Sequence, residues 1–332
     1  MNRVRRLAIV AGVAATLCAV APSAQAVIIG RSSIRNTSAP TGTNYNSGWQ
    51  YQGNWAGGFT GTPIHKNYFL TAGHVGGGVG GAIYYAGQNY TTTAVYDDPN
   101  TDLRLYKISG SFPTWAPIYT GTSETAKRGM IFGRGTGRGS EVKVGTALKG
   151  WKWGTGDGRR SWGENNVAGT VEGGAGMGQL LRFTFNKPGS SGSLYNEGAL
   201  STGDSGGGVF INDAGKWKLA GINYLVEGPF SLTGTTGSGF NASPFDKGGL
   251  YQGGDGKWKF NADSSADLNG QWYATRVSSR QAWIKSITGT ITTSSAPMTS
   301  LTGTVAVPEP ASAGLLAIGA SMLLRRRRRR RA

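Results

Sequence analysis

"LSTGDSGGGVF", residues 200–210, sets Ser205 among glycines, with Asp204 directly before it and the apolar pair Val209 and Phe210 closing the stretch. A serine hydroxyl is a weak nucleophile unless a base takes its proton, and the usual base is a histidine oriented by a carboxylate. The chain holds two histidines, His65 and His74, and both precede Ser205. No Asp or Glu occurs before His74, so an order that begins with the carboxylate fails. What survives is histidine, then aspartate, then serine.

The same stretch fits G-x-S-x-G, the elbow of the α/β-hydrolases, but that fold needs its histidine after the serine, where this chain has none. Composition points elsewhere too. Among 332 residues, 56 are glycine and 15% are charged, which suits a chain of many turns and short strands. "NYFLTAGHV" (67–75), "TDLRLYKI" (101–108), "KVGTALKGW" (143–151), "QLLRFTF" (179–185), "GGVFIN" (207–212) and "WKLAGINYLV" (217–226) are β-branched or aromatic runs bounded by Gly, Pro, Asn and Asp. They predict an all-β, antiparallel core. One segment reads as a helix: "SSRQAWIKSI", where Ser278 or Ser279 can cap the first turn and Ala282, Trp283 and Ile287 share a face.

On this order and pattern, "LTAGHV", "TDLRLYKI" and "GDSGGGVF" resemble the three catalytic segments of the chymotrypsin/trypsin-like serine proteases. "LAGINYLV" is similar to the family's substrate-lining strand and "TRVSSRQAWIKSI" to its closing helix, so the resemblance runs from about Gly53 to Ile287. It implies two six-stranded antiparallel β-barrels with a C-terminal helix, and an active site in the cleft between the barrels. It also implies His74 as general base and then general acid, Asp102 as the carboxylate that fixes its tautomer, and Ser205 as nucleophile, with the amides of Gly203 and Ser205 as the oxyanion hole. No metal or organic cofactor is implied. Asp97 and Asp98 compete with Asp102 but sit in "YDDPN", a turn; His65 reads as an exposed loop residue, and Ser190, Ser191 and Ser193 in "PGSSGS" as a loop. "NADSSADLNG" (261–270) reads as a turn because EF-hand spacing is not met.

Specificity departs from the family pattern. The position six before Ser205, acidic in trypsin-like members, is Ala199, so cleavage after Lys or Arg is not expected. Val226 stands where a glycine often keeps the pocket open, which favours small apolar residues, and Tyr224 replaces a frequent serine. Asp204 pairs with a freshly cut amino terminus in animal members, and "VIIG" (27–30) resembles that terminus; an ammonium on Val27 or Ile28 is expected to reach Asp204. The long stretch 227–270 has no assigned role.

The two ends read as addresses. Arg3, Arg5 and Arg6 precede the apolar run "LAIVAGVAATLCAVA", and Ala24-Gln25-Ala26 supplies a small-x-small site, so 1–26 is expected to be an export signal cut by signal peptidase. It contains the chain's one cysteine, Cys18, and residues 27–332 carry no thiol. At the other end, residues 288–306 form a Ser/Thr-rich linker, followed at 307–332 by Pro308-Glu309-Pro310, an apolar run from Ala311 to Leu324 and seven arginines. Fourteen residues of helix reach only ~21 Å against a ~30 Å hydrocarbon core, a weak and temporary membrane anchor. The segment resembles the PEP-CTERM sorting signal of Gram-negative bacteria, which implies an exosortase-type enzyme as partner, transient insertion in the inner membrane, and a secreted or cell-surface product.

Most of the formal charge of +17 belongs to those ends; the remaining body carries 24 basic and 16 acidic residues. Nothing in it argues for nucleic-acid binding, and "GRGTGRGS" (133–140) reads as a solvated turn. The expected function is an exported serine endopeptidase acting on protein or peptide substrate. The alternative is a catalytically inactive trypsin-fold matrix or binding protein associated with exopolysaccharide.

Overall fold

The β-branched and aromatic runs form strands because their alternating side chains can fill one face of a pleated surface. In the computed structural model, which describes residues 26–294, they close into two barrels of six antiparallel strands each. Around the first, the order is Gly53–Trp55, Phe59–His65, Tyr68–Ala72, Leu103–Ile108, Gln88–Asp97 and Ala82–Tyr85. Around the second it is Ser161–Glu172, Gln179–Phe185, Gly270–Arg276, Lys216–Val226, Gly208–Asp213 and Arg128–Gly133. Closure leaves neither sheet with a free edge.

Each barrel is filled by large rings. Phe69 stacks on Tyr106 at 5.0 Å in the first, and Phe183 on Trp272 at 3.9 Å in the second. Between them, Tyr51 stacks on Phe210 at 5.9 Å, so the apolar contact that joins the barrels also braces the strand following Ser205.

Some elements differ from the sequence expectation. The run 143–151 is not one strand but a hairpin of Thr136–Val144 and Ala147–Gly156, because Gly145 takes a positive φ of 59° and reverses the chain. "GRGTGRGS" ends one strand and begins the next rather than forming a solvated turn, since pairing with Ala147–Gly156 satisfies its backbone. The stretch 227–270 folds into a small sheet of Phe230–Ser231, Tyr251–Gln252 and Lys259–Phe260, and lends Ala242–Pro244 as a third strand beside Ala147–Gly156.

The expected helix is present as Gln281–Thr288, preceded by a 3-10 turn at Val277–Arg280. No side chain caps its start: Ser278 Oγ donates instead to Glu124, and Ser279 Oγ to the Arg276 carbonyl. Arg280 fastens the segment to the first barrel by two bonds to Asp98, which is buried at the start of the expected turn.

Among the described residues no helix is long and apolar enough to cross a membrane. This overturns the expected transient membrane insertion and the inner-membrane anchor. A helix crossing the ~30 Å hydrocarbon core needs about 20 consecutive apolar residues, and the helix Gln281–Thr288 is far shorter. The stretch concerned, 307–332, lies outside the described residues, as do most of 288–306 and all but Ala26 of the expected export signal.

Candidate active site

The strand Tyr68–Ala72 ends in a tight turn, Gly73–Val75, that lifts His74 to the mouth of the first barrel. Asp102 lies just before the neighbouring strand Leu103–Ile108, which pairs with Tyr68–Ala72 through Ala72 and Leu103. Adjacent strands therefore deliver both residues to one end of the barrel. The Asp102 carboxylate holds His74 twice, accepting from its backbone amide at 3.0 Å and from Nδ1 at 2.6 Å. With the proton on Nδ1, Nε2 faces Ser205 Oγ at 2.8 Å as an acceptor. Asp102 is mostly covered, its side chain 14% exposed, whereas His74 at 41% stays open to solvent.

Ser205 comes from the second barrel, on a loop between Gly198–Ala199 and the strand Gly208–Asp213. The loop is held from beneath. Asp204 accepts from the Gly135 amide at 2.8 Å, the Ser201 amide at 2.8 Å and Ser201 Oγ at 3.0 Å, while Asn223 Nδ2 donates to the Asp204 carbonyl at 3.0 Å and to the Phe132 carbonyl at 2.7 Å. Gln52 Oε1, from just before the first barrel, accepts from the Gly208 amide at 3.0 Å. A Cβ on Gly206 would come within 2.4 Å of the Thr60 carbonyl and Thr71 Oγ1, so only glycine lets the loop dock this closely on the first barrel.

Gly203 has a φ of 90°, and a Cβ there would press to 2.8 Å from Gly135 Cα. Among the described residues, the amides of Gly203 and Ser205 have no hydrogen-bond partner. Two free N–H groups beside a serine hydroxyl form a site able to hold a developing oxyanion.

Burial is the largest influence on Asp204 and pushes its carboxyl up to about 6, against the opposing hydrogen bonds from Ser201, Gly135 and the Val27 amide. Val27 is itself buried, where Ile28 and Ile29 pair with Ala199 and Gly198.

Of the expected substrate-lining residues, Ala199 and Val226 share one pocket with Leu200, Trp272 and Pro244. Its free volume is only about 10 Å³, room for roughly one water. The closure comes from the 227–270 stretch: Ser243 Oγ bonds the Leu200 carbonyl at 3.2 Å, and Pro244 pairs with Gly150. Tyr224 does not line this pocket. Its ring packs against His74 at 5.8 Å, and its hydroxyl is pushed up by burial and then by the Asp102 charge.

His65 sits half-buried at the end of Phe59–His65, and Ser190 and Ser193 bond within their own turn; neither group joins the site. Asp263 pairs with Lys149 at 2.7 Å. Sequence reading missed Gln52 and Asn223, whose amides brace the serine loop. A lone amide side chain, within a strand as at Asn223 or just before one as at Gln52, carries no motif, and only the fold brings these two beneath Ser205.

Residues 58–222 match the family described as trypsin-like peptidase domain, so the class the fold and the match define is a trypsin-like serine-protease fold domain. Among solved structures, the chain is similar to neuropsin, a serine protease expressed in the limbic system of mouse brain (12% identity, TM-score 0.44, covering 73% of this chain and 96% of that one). It is also similar to a mutant of human heparin binding protein (12% identity, TM-score 0.45, 77% and 95%). No curated protein matches the chain.

Proposed function

We propose that the protein is a serine endopeptidase that cleaves peptide bonds through an acyl-enzyme. The observation that carries this reading is the relay of 2.6 Å from Asp102 to His74 and 2.8 Å from His74 to Ser205. His74 Nε2 takes the hydroxyl proton as Ser205 Oγ attacks the carbonyl carbon, and the carbonyl oxygen becomes an oxyanion held by the Gly203 and Ser205 amides. When the tetrahedral intermediate collapses, the carbon–nitrogen bond breaks and His74 gives its proton to the leaving amine. Water then repeats the sequence on the ester, with His74 again as base. Asp102 keeps the imidazole in the productive tautomer and stabilises its cation.

The filled pocket at Ala199 and Val226 supports a small residue, glycine or alanine, on the acyl side of the cleaved bond. A longer side chain would have to displace Pro244 or Trp272.

The reading is tested by labelling with a fluorophosphonate. Covalent uptake at Ser205 is expected, lost in Ser205→Ala and in His74→Ala. A chain that takes up no label while folded is not a serine hydrolase.

A further inference from the structure

A second groove shares no lining residue with the filled pocket, and its chemistry differs. It has a volume of about 280 Å³ and is bounded by Phe59 of the first barrel, by Arg134, Gly135 and Gly158 of the second, and by Thr202 and Gly203 of the serine loop. The two spaces take different parts of the serine loop, Ala199 and Leu200 lining one and Thr202 and Gly203 the other. If the acyl portion of a peptide lies toward Ala199, the groove at Gly203 is the space left for the portion carrying the leaving amine.

Its wall carries an unanswered charge. Arg134 is half-buried, donates from Nη1 to the Gly158 carbonyl, and leaves its Nε–H buried without a hydrogen-bond partner. Among the described residues no carboxylate pairs with it. Arg160 lies near enough for mutual repulsion, and it too lacks an acid: it donates to the Trp49 carbonyl at 2.8 Å and the Gln52 carbonyl at 2.7 Å, with its guanidinium 3.8 Å from the Trp49 ring. The carboxylate next to Gly158 in sequence and the one bonded to the Gly135 amide are both engaged elsewhere. Asp157 is held by Nη1 and Nη2 of Arg35, by the Arg159 amide and by the Arg159 side chain. Asp204 faces the Gly135 amide and Ser201 inside the fold. A guanidinium taken halfway out of water without a counter-charge is costly, and an anion arriving in the groove relieves that cost.

We propose that this groove is a carboxylate subsite for the leaving side of the substrate, with Arg134 as the residue that selects it. The inference rests on the endopeptidase reading and adds a substrate class: peptides with an acidic group within the first few residues after the cleaved bond. That group is an Asp or Glu side chain or the free C-terminal carboxylate.

The test uses internally quenched peptides with glycine or alanine before the cleaved bond, the cut mapped by mass spectrometry. In one series the residues after the bond carry Asp, Asn or Lys; in another the chain ends two or three residues beyond it as a free acid or an amide. An acidic member of either series is expected to raise kcat/KM about tenfold over its neutral partner, the gain of one charge-assisted contact, and the series that responds identifies the source of the carboxylate. Arg134→Glu is expected to invert the order in favour of Lys, while Arg134→Lys retains part of the acidic preference; a merely structural role for Arg134 gives no inversion. Equal rates across both series in the native enzyme overturn the proposal, as does an acidic preference that survives Arg134→Glu. If Arg134→Glu does not fold, native enzyme decides: peptides beginning with Asp should slow fluorophosphonate labelling of Ser205 more than peptides beginning with Asn, and equal slowing overturns the subsite. Absence of any labelling strikes the endopeptidase reading instead, so the two failures are told apart.

Discussion

The backbone amide of Val27 donates to the buried carboxylate of Asp204, the residue next to the candidate nucleophile. The contact places the boundary expected from sequence, after Ala26, directly under the serine loop. In the chain as described this amide is neutral, and burial holds the Asp204 carboxyl near 6 instead of its ordinary 3.8. An acid raised by folding binds its proton more tightly in the native state, so its contribution is fullest below the unfolded value and falls as pH rises from about 4 to about 6. The loss at neutral pH is roughly 3 kcal/mol. A chain beginning at Val27 presents an ammonium there instead, which lowers the carboxyl and reverses the trend. Thermal midpoints of the two forms between pH 4 and 8, each compared with its Asp204→Asn variant, are expected to slope in opposite directions. Parallel slopes would show that the terminus does not reach Asp204.

Glu197 adds a second term of the same sign. Burial raises its carboxyl to about 7, opposed by bonds from Leu194 and Asn186 and assisted by the nearby Glu164. Stability from this group is present below its unfolded value near 4.5 and is lost as pH climbs to about 7. Glu197→Gln should therefore flatten the pH dependence of denaturant midpoints across that window, an outcome read from equilibrium unfolding at fixed pH values.

Asp102→Asn keeps the shape of the relay but removes the acceptor that fixes the His74 proton on Nδ1. The expected cost is about 10⁴-fold in kcat, with much smaller change in KM. Steady-state kinetics on any cleaved peptide checks it; a loss of less than tenfold would mean that another group orients His74.

Val226→Gly should open the pocket that Val226 shares with Ala199 and Pro244. Peptides with leucine or phenylalanine before the cleaved bond are expected to gain relative to alanine, by tenfold or more, because the pocket is limited by volume and not by charge. Unchanged ratios would place the acyl-side residue elsewhere.

Asp98→Ala removes the acceptor of both Arg280 bonds, at 2.5 and 2.6 Å, and strands a partly buried guanidinium. Breaking such a pair costs about 3–5 kcal/mol, and hydrogen exchange should locate the loosening in the helix Gln281–Thr288.

The order of His74, Asp102 and Ser205 was readable because each sits in a short, dense motif at a strand end, and the three do lie within hydrogen-bond reach. The all-β architecture was likewise legible in runs such as 179–185, which match their strand residue for residue. Turn chemistry hid in plain composition: with glycine so frequent, Gly145 gave no sign that it alone would reverse the chain within 143–151. The pocket was half legible. Val226 suggested narrowing, but the actual stopper, Pro244, arrives by pairing with Gly150 across a distance in sequence that no local pattern encodes. Arg134 was hidden for a related reason. It follows a strand end, and its lack of an acidic partner among the described residues is visible only once every neighbouring acid has been accounted for.

Imidazole and carboxylate rise from one barrel and the hydroxyl from the other, and Gly206 is one close contact among those that keep them in step. The proposed hydrolysis is thus a gauge of alignment between the two halves of the molecule: a wedge slipped between them is expected to silence it while leaving every participating side chain intact.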